Sequence, residues 1–195
     1  MEFTHNYKSY EDYLNFQKQK TLDPRRQKKW KTIEWRKKID IFKKVFLEQE
    51  KLNWSSFKNG LCLGSRTGQE VVAFKELGVN EALGIDIVPF EPYTVLGDIH
   101  DLNYKDESFD ILFTNIFDHS INPKKFISEM QRVCQKGGYI LLHLQMDCHQ
   151  DSFTEVVINN LDIVKNLFVG CELVMERNID TGIIAMNYEL LFKKN

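Results

Sequence analysis

From residue 59 onward, short apolar segments alternate with amphipathic helical segments along the chain. The predicted strands are GLCLGS, EALGIDIV, YTVLGD, FDILFTNIF and GGYILLHLQ. The predicted helices are GQEVVAFKELGV, which stops at Gly78, and PKKFISEMQRVCQK. Strands that alternate with helices predict an α/β fold, with a mostly parallel sheet that is covered by helices on both faces.

The pattern changes after residue 150. A helix is predicted over SFTEVVINNLDIVKNLF, and two strands follow it, CELVMERN and GIIAMNYELLFKK. Because only the short link IDTG separates these two strands, we expect them to pair antiparallel.

The segment LCLGSRTGQE, from Leu61 to Glu70, has the form of a strand that enters a glycine turn and opens a helix. Such turns bring backbone amides close to a nucleotide. The glycine spacing is G-x-x-x-G and not the G-x-G-x-x-G of a dinucleotide site, and no Gly-Lys-Ser/Thr of a phosphate-binding loop occurs in the chain. A nucleoside cofactor without a pyrophosphate fits the turn better, and S-adenosylmethionine is such a cofactor.

Two aspartates follow later strands of the predicted sheet. Asp86 ends the second strand, 18 residues beyond Gly68, and Asp98 ends the third. Ligands of open α/β sheets bind outside the carboxyl ends of the strands. We therefore expect the glycine turn to hold the methionine part of the cofactor, Asp86 its ribose hydroxyls and Asp98 its adenine amine. Asp101 is a nearby alternative to Asp98.

Taken in order, these segments resemble the class I S-adenosylmethionine-dependent methyltransferases, in particular the small type 11 group. The resemblance runs from about Leu61 to Leu144 and covers LCLGSRTGQE, LGIDIV, GDIHDLNYKDESFDILFTN and FDHSINPKKFISEMQRVCQKGGYILL. It implies a Rossmann-like sheet of seven strands with an antiparallel last strand, S-adenosyl-L-methionine as cofactor, and methyl transfer as the activity. The cofactor-binding residues that it implies are Gly64, Ser65, Arg66, Gly68, Asp86, Ile87, Asp98, Ile99 and Asn115.

The first motif departs from the family pattern at two positions. Cys62 stands where the family usually has an acid, and Arg66 stands where it usually has its middle glycine. One interpretation is that Arg66 pairs with the carboxylate of the methionine part, an ionic hydrogen bond of roughly 1.5–3 kcal/mol. The other is that Arg66 points into solvent and only tolerates the turn.

In this fold the transferable methyl group lies beyond the end of the fourth strand, where the chain has NIFDHS. His119 is the candidate catalytic residue there: it can take a proton from an acceptor hydroxyl, with Asp118 orienting its ring. The alternative is an architectural role, because the matching histidine occurs throughout the type 11 group with very different substrates. No metal site is predicted, because the sequence shows no ligand spacing typical of one.

The first 58 residues are basic, with 15 Lys+Arg and 8 Asp+Glu, whereas the remaining 137 residues hold 11 and 20. Asp23 and Pro24 are typical of a helix start, and the apolar stripe that follows consists of Trp30, Ile33, Ile41 and Val45. We expect residues 1–58 to form a helical extension or lid. The helix that carries this stripe is expected to pack across the open end of the sheet and to close over the cofactor, with its lysines facing outward. Residues 59–195 are then the methyltransferase domain. The alternative is a basic segment that contacts an anion such as nucleic acid.

The acceptor is predicted from what accompanies the cofactor motifs. The Asn/Asp-Pro-Pro-aromatic run of exocyclic-amine methylation is replaced by NIFD, and no RNA-binding domain is added. We expect a small-molecule acceptor that is methylated on oxygen. The alternatives are an RNA or protein acceptor, and a protein that binds the cofactor without turnover.

The cysteines and the hydropathy bear on location. Cys62, Cys134, Cys148 and Cys171 show neither CxxC nor metal spacing, which is typical of reduced thiols. No membrane span and no export signal is predicted. We therefore expect a cytoplasmic protein.

Overall fold

The computed structural model describes residues 2–146 and 151–195 of the chain. The strands in these residues are β1 (Glu2–Phe3), β2 (Asn59–Leu63), β3 (Glu81–Asp86), β4 (Thr94–Leu96), β5 (Phe109–Thr114), β6 (Cys134–Leu144), β7 (Val156–Val157), β8 (Cys171–Asn178) and β9 (Tyr188–Lys194). The α-helices are α1 (Tyr10–Leu22), α2 (Pro24–Lys31), α3 (Trp35–Leu47), α4 (Gln69–Glu76), α5 (Pro123–Val133) and α6 (Leu161–Lys165).

Seven of the strands form one sheet, in the order β4-β3-β2-β5-β6-β9-β8. Strand β2 pairs parallel with β3 and β5, and β5 pairs parallel with β6. Strand β9 pairs antiparallel with both of its neighbours, β6 and β8. The last strand is therefore inserted antiparallel into a mostly parallel, Rossmann-like sheet, which confirms the predicted fold class.

Both faces of the sheet are covered by helices. Leu61, Leu63 and Leu112 point to one face, where they belong to the same apolar cluster as residues of α5 and α6. Cys62 and Phe113 point to the other face and cluster with residues of α3 and α4. Because strands buried on both faces read as continuous apolar runs, polar residues collect where the strands end, and this edge carries the site.

The basic segment forms three helices, not the single long helix that was expected from Asp23. The Asp23 side chain does cap a helix, accepting hydrogen bonds from the backbone N–H groups of Arg25 and Arg26 at 2.8 and 3.3 Å. That helix, α2, ends after eight residues. Helix α3 begins only at Trp35, so the helical register restarts between the two.

The break between α2 and α3 changes which residues are buried. Ile33 lies in the break and is 68% exposed, so its predicted place in the apolar stripe is wrong. Trp30 and Val45 are buried as expected. The stripe that packs on the sheet domain belongs to α3 alone and consists of Ile39, Phe42, Val45 and Phe46, at the spacing of three to four residues that an amphipathic helix requires.

The helix predicted over residues 152–168 is wrong for its first half. Only α6 is helical, whereas Val156 and Val157 form β7 and pair antiparallel with Phe3 and Glu2 of β1. Valine favours extended backbone because its branched side chain packs well in a sheet. The partner strand comes from the other end of the chain, where no local pattern of residues 152–160 can indicate it.

The two C-terminal strands pair antiparallel as predicted, through β8 and β9. Strand β9 starts at Tyr188 and not at Gly182, because residues Gly182–Ile184 form a short 3-10 turn. Three of the four cysteines are free thiols, and Cys148 lies outside the described residues. Within residues 2–146 and 151–195, no helix is long and apolar enough to cross a membrane.

Candidate active site

The turn between β2 and α4 has a backbone that favours glycine. Gly64 and Gly68 have φ angles of +70° and +82°, and Arg66 between them also has a positive φ, +43°. The backbone N–H of Gly64 donates to the Ile85 carbonyl at 2.9 Å, which ties the turn to β3. A Cβ atom on Gly64 would lie 2.2 Å from Cδ1 of Ile116. Glycine is therefore required for the close packing at this point.

Asp86 ends β3 beside this turn and is only 6% exposed. Its two carboxylate oxygens accept hydrogen bonds of 2.8 Å, one from the backbone N–H of Arg66 and the other from that of Val88. Burial raises the pKa of Asp86, while these hydrogen bonds and the Arg66 charge oppose the rise. Asp86 thus fixes the glycine turn and places a carboxylate in the wall of a cavity.

Asp98 lies two residues beyond β4, and helix α1 contacts it. The Tyr10 hydroxyl lies 2.8 and 2.7 Å from its two carboxylate oxygens, and the backbone N–H of His100 donates to it at 2.8 Å. Burial raises the pKa of Asp98, but the hydrogen bonds from His100 and Tyr10 outweigh burial, so that the pKa is lowered. The next residue, Ile99, is buried, whereas the alternative acid Asp101 is exposed.

Two adjoining cavities lie between the strand ends and the N-terminal helices. The smaller cavity has a volume of about 60 Å³, and its walls include Asp86, Ile87, Asp98 and Ile99. The larger cavity has a volume of about 340 Å³, and its walls include Ser65, Asn115 and Asp118. The two cavities meet at the residues that line both of them, Lys20, Gly64, Arg66 and His119.

The fold thus brings the predicted site residues together, with one difference. Gly68 is behind the turn, where a Cβ atom would lie 2.4 Å from the Cβ of Tyr93. Gly68 lines neither of these two cavities. Gly68 therefore shapes the turn, while Gly64 and Arg66 face the cavities.

His119 lies where the cavities meet, and both of its ring nitrogens have partners. Nδ1 lies 2.7 Å from the Phe153 carbonyl oxygen and therefore carries the ring proton, while Nε2 accepts from Nζ of Lys20 at 3.0 Å. Burial lowers the pKa of His119, the Asp118 carboxylate opposes this and Lys20 adds to it, so that the net pKa is lowered. The Phe153 carbonyl therefore orients the ring, a role that the sequence predicts for Asp118. The Asp118 carboxylate lies 3.8 Å from Nε2.

Lys20 is a site residue that sequence motifs missed. Its side chain is 11% exposed, and Nζ lies 2.5 Å from the Asp151 carboxylate. Burial and the positive charge of Arg66 lower the pKa of Lys20 to about 8, although Asp151 opposes them. The buried residues of α1 are Tyr13, Gln17 and Thr21, so Lys20 lies on the inward face. This spacing of three to four residues is the signal that could have indicated it.

Helices α2 and α3 form part of the wall of the larger cavity. The Arg66 guanidinium lies 4.7 Å from the centre of the Trp30 ring, at a distance typical of a cation–π contact. The Gln69 side chain donates to the Trp30 carbonyl oxygen at 3.1 Å. Lys38 lines the cavity, so the expectation of outward-facing lysines on the helical stripe is wrong for this residue.

These residues fit S-adenosyl-L-methionine. A buried carboxylate, Asp86, lines the smaller cavity, and Gly64, which has no side chain, lines both cavities. A seven-stranded sheet with an antiparallel last strand is the fold that the resemblance to the class I S-adenosylmethionine-dependent methyltransferases implies. Residues 61–142 match the family model of the type 11 methyltransferase domain. This match confirms the predicted recognition and cofactor for the matched segment: residues 61–142 match a methyltransferase domain of the type 11 family, whose cofactor is S-adenosyl-L-methionine.

Several solved structures share the fold. The 1,6-didemethyltoxoflavin-N1-methyltransferase of Burkholderia thailandensis, with bound 1,6-didemethyltoxoflavin and S-adenosylhomocysteine, has 11% identity, a TM-score of 0.66 and coverage of 98% of this chain and 93% of its own. A Haloferax volcanii protein in complex with the Trm112 methyltransferase activator has 14% identity, a TM-score of 0.68 and coverage of 90% and 96%. An S-adenosylmethionine-dependent methyltransferase of Aquifex aeolicus has 13% identity, a TM-score of 0.57 and coverage of 77% and 88%. No curated protein matches the chain by sequence.

Proposed function

We propose that this methyltransferase acts on a small-molecule acceptor, which binds in the larger cavity and is methylated on an oxygen atom. When bound, S-adenosyl-L-methionine supplies an electrophilic methyl group. The observation that carries the proposal is the meeting of the two cavities at His119, under helices α1–α3. An acceptor in the larger cavity is thereby held beside the cofactor residues, and such alignment is the main source of rate in a displacement of this kind.

The strand ends hold the cofactor in this proposal. The Asp86 carboxylate accepts from the ribose hydroxyls, and Asp98 with the backbone of Ile99 binds the adenine. Arg66 pairs with the carboxylate of the methionine part. The remaining contacts come from Gly64, Ser65, Ile87 and Asn115, all of which line the cavities.

The size and lining of the larger cavity support a small acceptor. Its volume of about 340 Å³ lies within the range of small-molecule sites, roughly 300–1,000 Å³. Apolar side chains such as Trp30, Phe42 and Met186 share its wall with charged ones, which are Lys20, Arg26, Lys38, Arg66, Glu70, Asp118 and Asp151. The Burkholderia methyltransferase, whose likeness covers 98% of this chain, binds 1,6-didemethyltoxoflavin together with S-adenosylhomocysteine.

Positive charge in the larger cavity favours an acceptor that carries a negative group. Arg26 lies over the Phe153 ring at 5.6 Å, and in the described ranges no carboxylate forms an ion pair with it. Lys20 lies nearby on α1 and lines the same cavity. An anionic group on the acceptor would give Arg26 a partner and would also attract the Lys20 amine.

His119 accepts the proton of the acceptor hydroxyl in this proposal. Nδ1 already carries a proton, so Nε2 is the free basic atom once Lys20 turns to the acceptor. Asp118, 3.8 Å from Nε2, then stabilises the positive charge on the ring. General base catalysis of this type contributes roughly 10²–10⁴-fold.

The test uses the whole chain with methyl-labelled S-adenosylmethionine and a cell extract that is afterwards separated into small-molecule and macromolecular fractions. We expect label in the small-molecule fraction, and less of it with Arg26→Gln but not with the exposed neighbour Arg25→Gln. Label in the macromolecular fraction would favour RNA or protein instead. Binding of S-adenosylhomocysteine without any transfer would favour a cofactor-binding protein.

Two further parts of the proposal concern organisation and location. We propose that residues 1–58 act as a lid and residues 59–195 as the methyltransferase domain, which is supported by the side chains of α1–α3 in the cavity walls. We also propose a cytoplasmic location, which is supported by the free thiols of Cys62, Cys134 and Cys171.

A further inference from the structure

Glu70 is a buried acid that the proposed function leaves unused. It is the second residue of α4, is 5% exposed and lines the larger cavity. Within the described part of the chain, no basic nitrogen lies within 4.0 Å of its carboxylate. Its own backbone N–H is the hydrogen-bond donor that favours its charged form.

The surroundings of Glu70 leave its charge only partly balanced. Burial raises the pKa of Glu70 to about 7, while the charges of Arg66 and Lys38 lower it and that of Asp86 raises it. A carboxylate buried without an ion-pair partner is costly, because burial penalises the charged form. A cationic ligand group in the cavity would remove this cost.

The charge of Glu70 also acts on Cys62, which stands where the first motif usually has an acid. Burial raises the pKa of the Cys62 thiol, and Glu70 is the charged group that adds to the rise. Glu70 therefore brings to this end of β2 the negative charge that Cys62 does not carry. It does so from the helix that follows the turn, on the same cavity wall as Arg66.

We propose that Glu70 binds the α-ammonium group of the cofactor's methionine part, while Arg66 binds its carboxylate. The two side chains then form a matched pair of opposite charges for the two charged groups of one amino acid. The inference rests on the cofactor that the proposed function requires, and it does not depend on the acceptor.

The test compares ligands that carry one charged group each. S-adenosylhomocysteine has both groups, its 3-aminopropyl analogue keeps only the ammonium, and its 3-carboxypropyl analogue keeps only the carboxylate. Calorimetry with Glu70→Gln should show at least about tenfold weaker binding of the first two and less than about twofold change for the carboxypropyl analogue. Arg66→Ala should weaken the carboxypropyl analogue and spare the aminopropyl one.

A second readout is the proton that leaves Glu70 on binding. Since the ammonium requires a charged carboxylate, wild type at pH 7 should release about half a proton per S-adenosylhomocysteine, measured from heats in buffers of different ionisation enthalpy. Glu70→Gln should lose this release, whereas Glu76→Gln, on the exposed side of the same helix, should keep it. Glu70→Asp should keep part of the ammonium preference.

Three outcomes would overturn the inference. Equal losses for both analogues would mean that Glu70 only supports the cavity, and unchanged binding of all ligands would mean that it only caps α4. If wild type bound none of the three ligands, the cofactor assignment itself would fail. That last result is distinct, because it appears before any variant is made.

Discussion

The two cavities lie between two walls that are built in different ways. The cofactor wall consists of the strand ends with Gly64, Asp86 and Asp98, and the helical wall consists of α1–α3. The cofactor wall is fixed by backbone groups: the Asp86 carboxylate accepts from two backbone N–H groups, and the Gly64 N–H donates to the β3 carbonyl Ile85. The helical wall is joined to it by side chains, such as Tyr10 on Asp98. Backbone contacts at strand ends follow from the sheet, whereas side-chain contacts between distant segments need the helices to dock. The first wall is therefore ready for a ligand, and the second depends on packing.

The strongest challenge to this comparison is to loosen the helical wall. Phe46 on α3 is completely buried and contacts the rings of Phe42, Phe74 and Phe113. Phe46→Ala should lower the free energy of unfolding by about 3–5 kcal/mol, because it leaves a cavity in the core. Denaturant unfolding measures this. Ile33→Ala, in the exposed break, is the matched control and should stay within about 0.5 kcal/mol. Equal effects of the two variants would show that α3 does not pack as described.

The variant Asp86→Ala tests the role of the cofactor wall in binding. Two ionic hydrogen bonds to the ribose, at roughly 1.5–3 kcal/mol each, would be lost, so affinity for S-adenosylhomocysteine should fall at least tenfold. Asp86→Asn keeps the shape of the side chain and one acceptor oxygen, so its affinity for S-adenosylhomocysteine should fall less. Asp101→Ala, a nearby exposed acid, should bind like wild type. Calorimetry that finds Asp86→Ala equal to wild type would rule out the ribose contact.

The two walls also differ in how far sequence predicts them. Gly64, Asp86 and Asp98 lie next to the strands that position them, so local order in the chain was enough to place them. Lys20 acquires its role only because α1 docks against His119, about a hundred residues away in the sequence. Ile33 was misplaced because Thr32–Glu34 ends one helix before the next begins. The helix prediction for residues 152–160 is wrong because their strand partner, β1, lies at the other end of the chain.

Glu70, which lines the larger cavity, gives a pH test of the cofactor wall. Because the folded pKa of Glu70, about 7, lies above its ordinary value of 4.5, its contribution to stability is present below pH 4.5 and is lost as the pH rises through 7. At pH 8, Glu70→Gln should therefore be more stable than wild type, by up to about 3 kcal/mol. Thermal or denaturant unfolding at pH 5 and pH 8 measures the difference.

Glu76→Gln is the control for that pH test. Glu76 is paired with Arg36 and Lys43, and hydrogen bonds from these two lower its pKa to about 2. Its contribution to stability is thus present at pH 8, so the glutamine variant should be slightly less stable there, in the opposite direction. If Glu70→Gln also lost stability at pH 8, burial of an uncompensated charge at this position would be refuted.

The smallest expected effect comes from the contact that joins the two walls. The Tyr10 hydroxyl donates to Asp98 and also lies 2.7 Å from Nδ1 of His100, so Tyr10→Phe removes both of these hydrogen bonds and keeps the ring contacts with Tyr13 and His100. Amide exchange in α1 should become about two- to tenfold faster, since such a bond contributes roughly 0.5–1.5 kcal/mol.

The same variant bears on cofactor binding. Affinity for S-adenosylhomocysteine should stay equal or rise, because adenine no longer competes with the tyrosine for Asp98. Tyr7→Phe, which removes one hydrogen bond to Glu155 instead, should loosen the N-terminal segment without any gain in affinity. A tenfold loss of affinity confined to Tyr10→Phe would make Tyr10 part of the cofactor site, and the cofactor wall would then depend on docked helices as much as the other wall does.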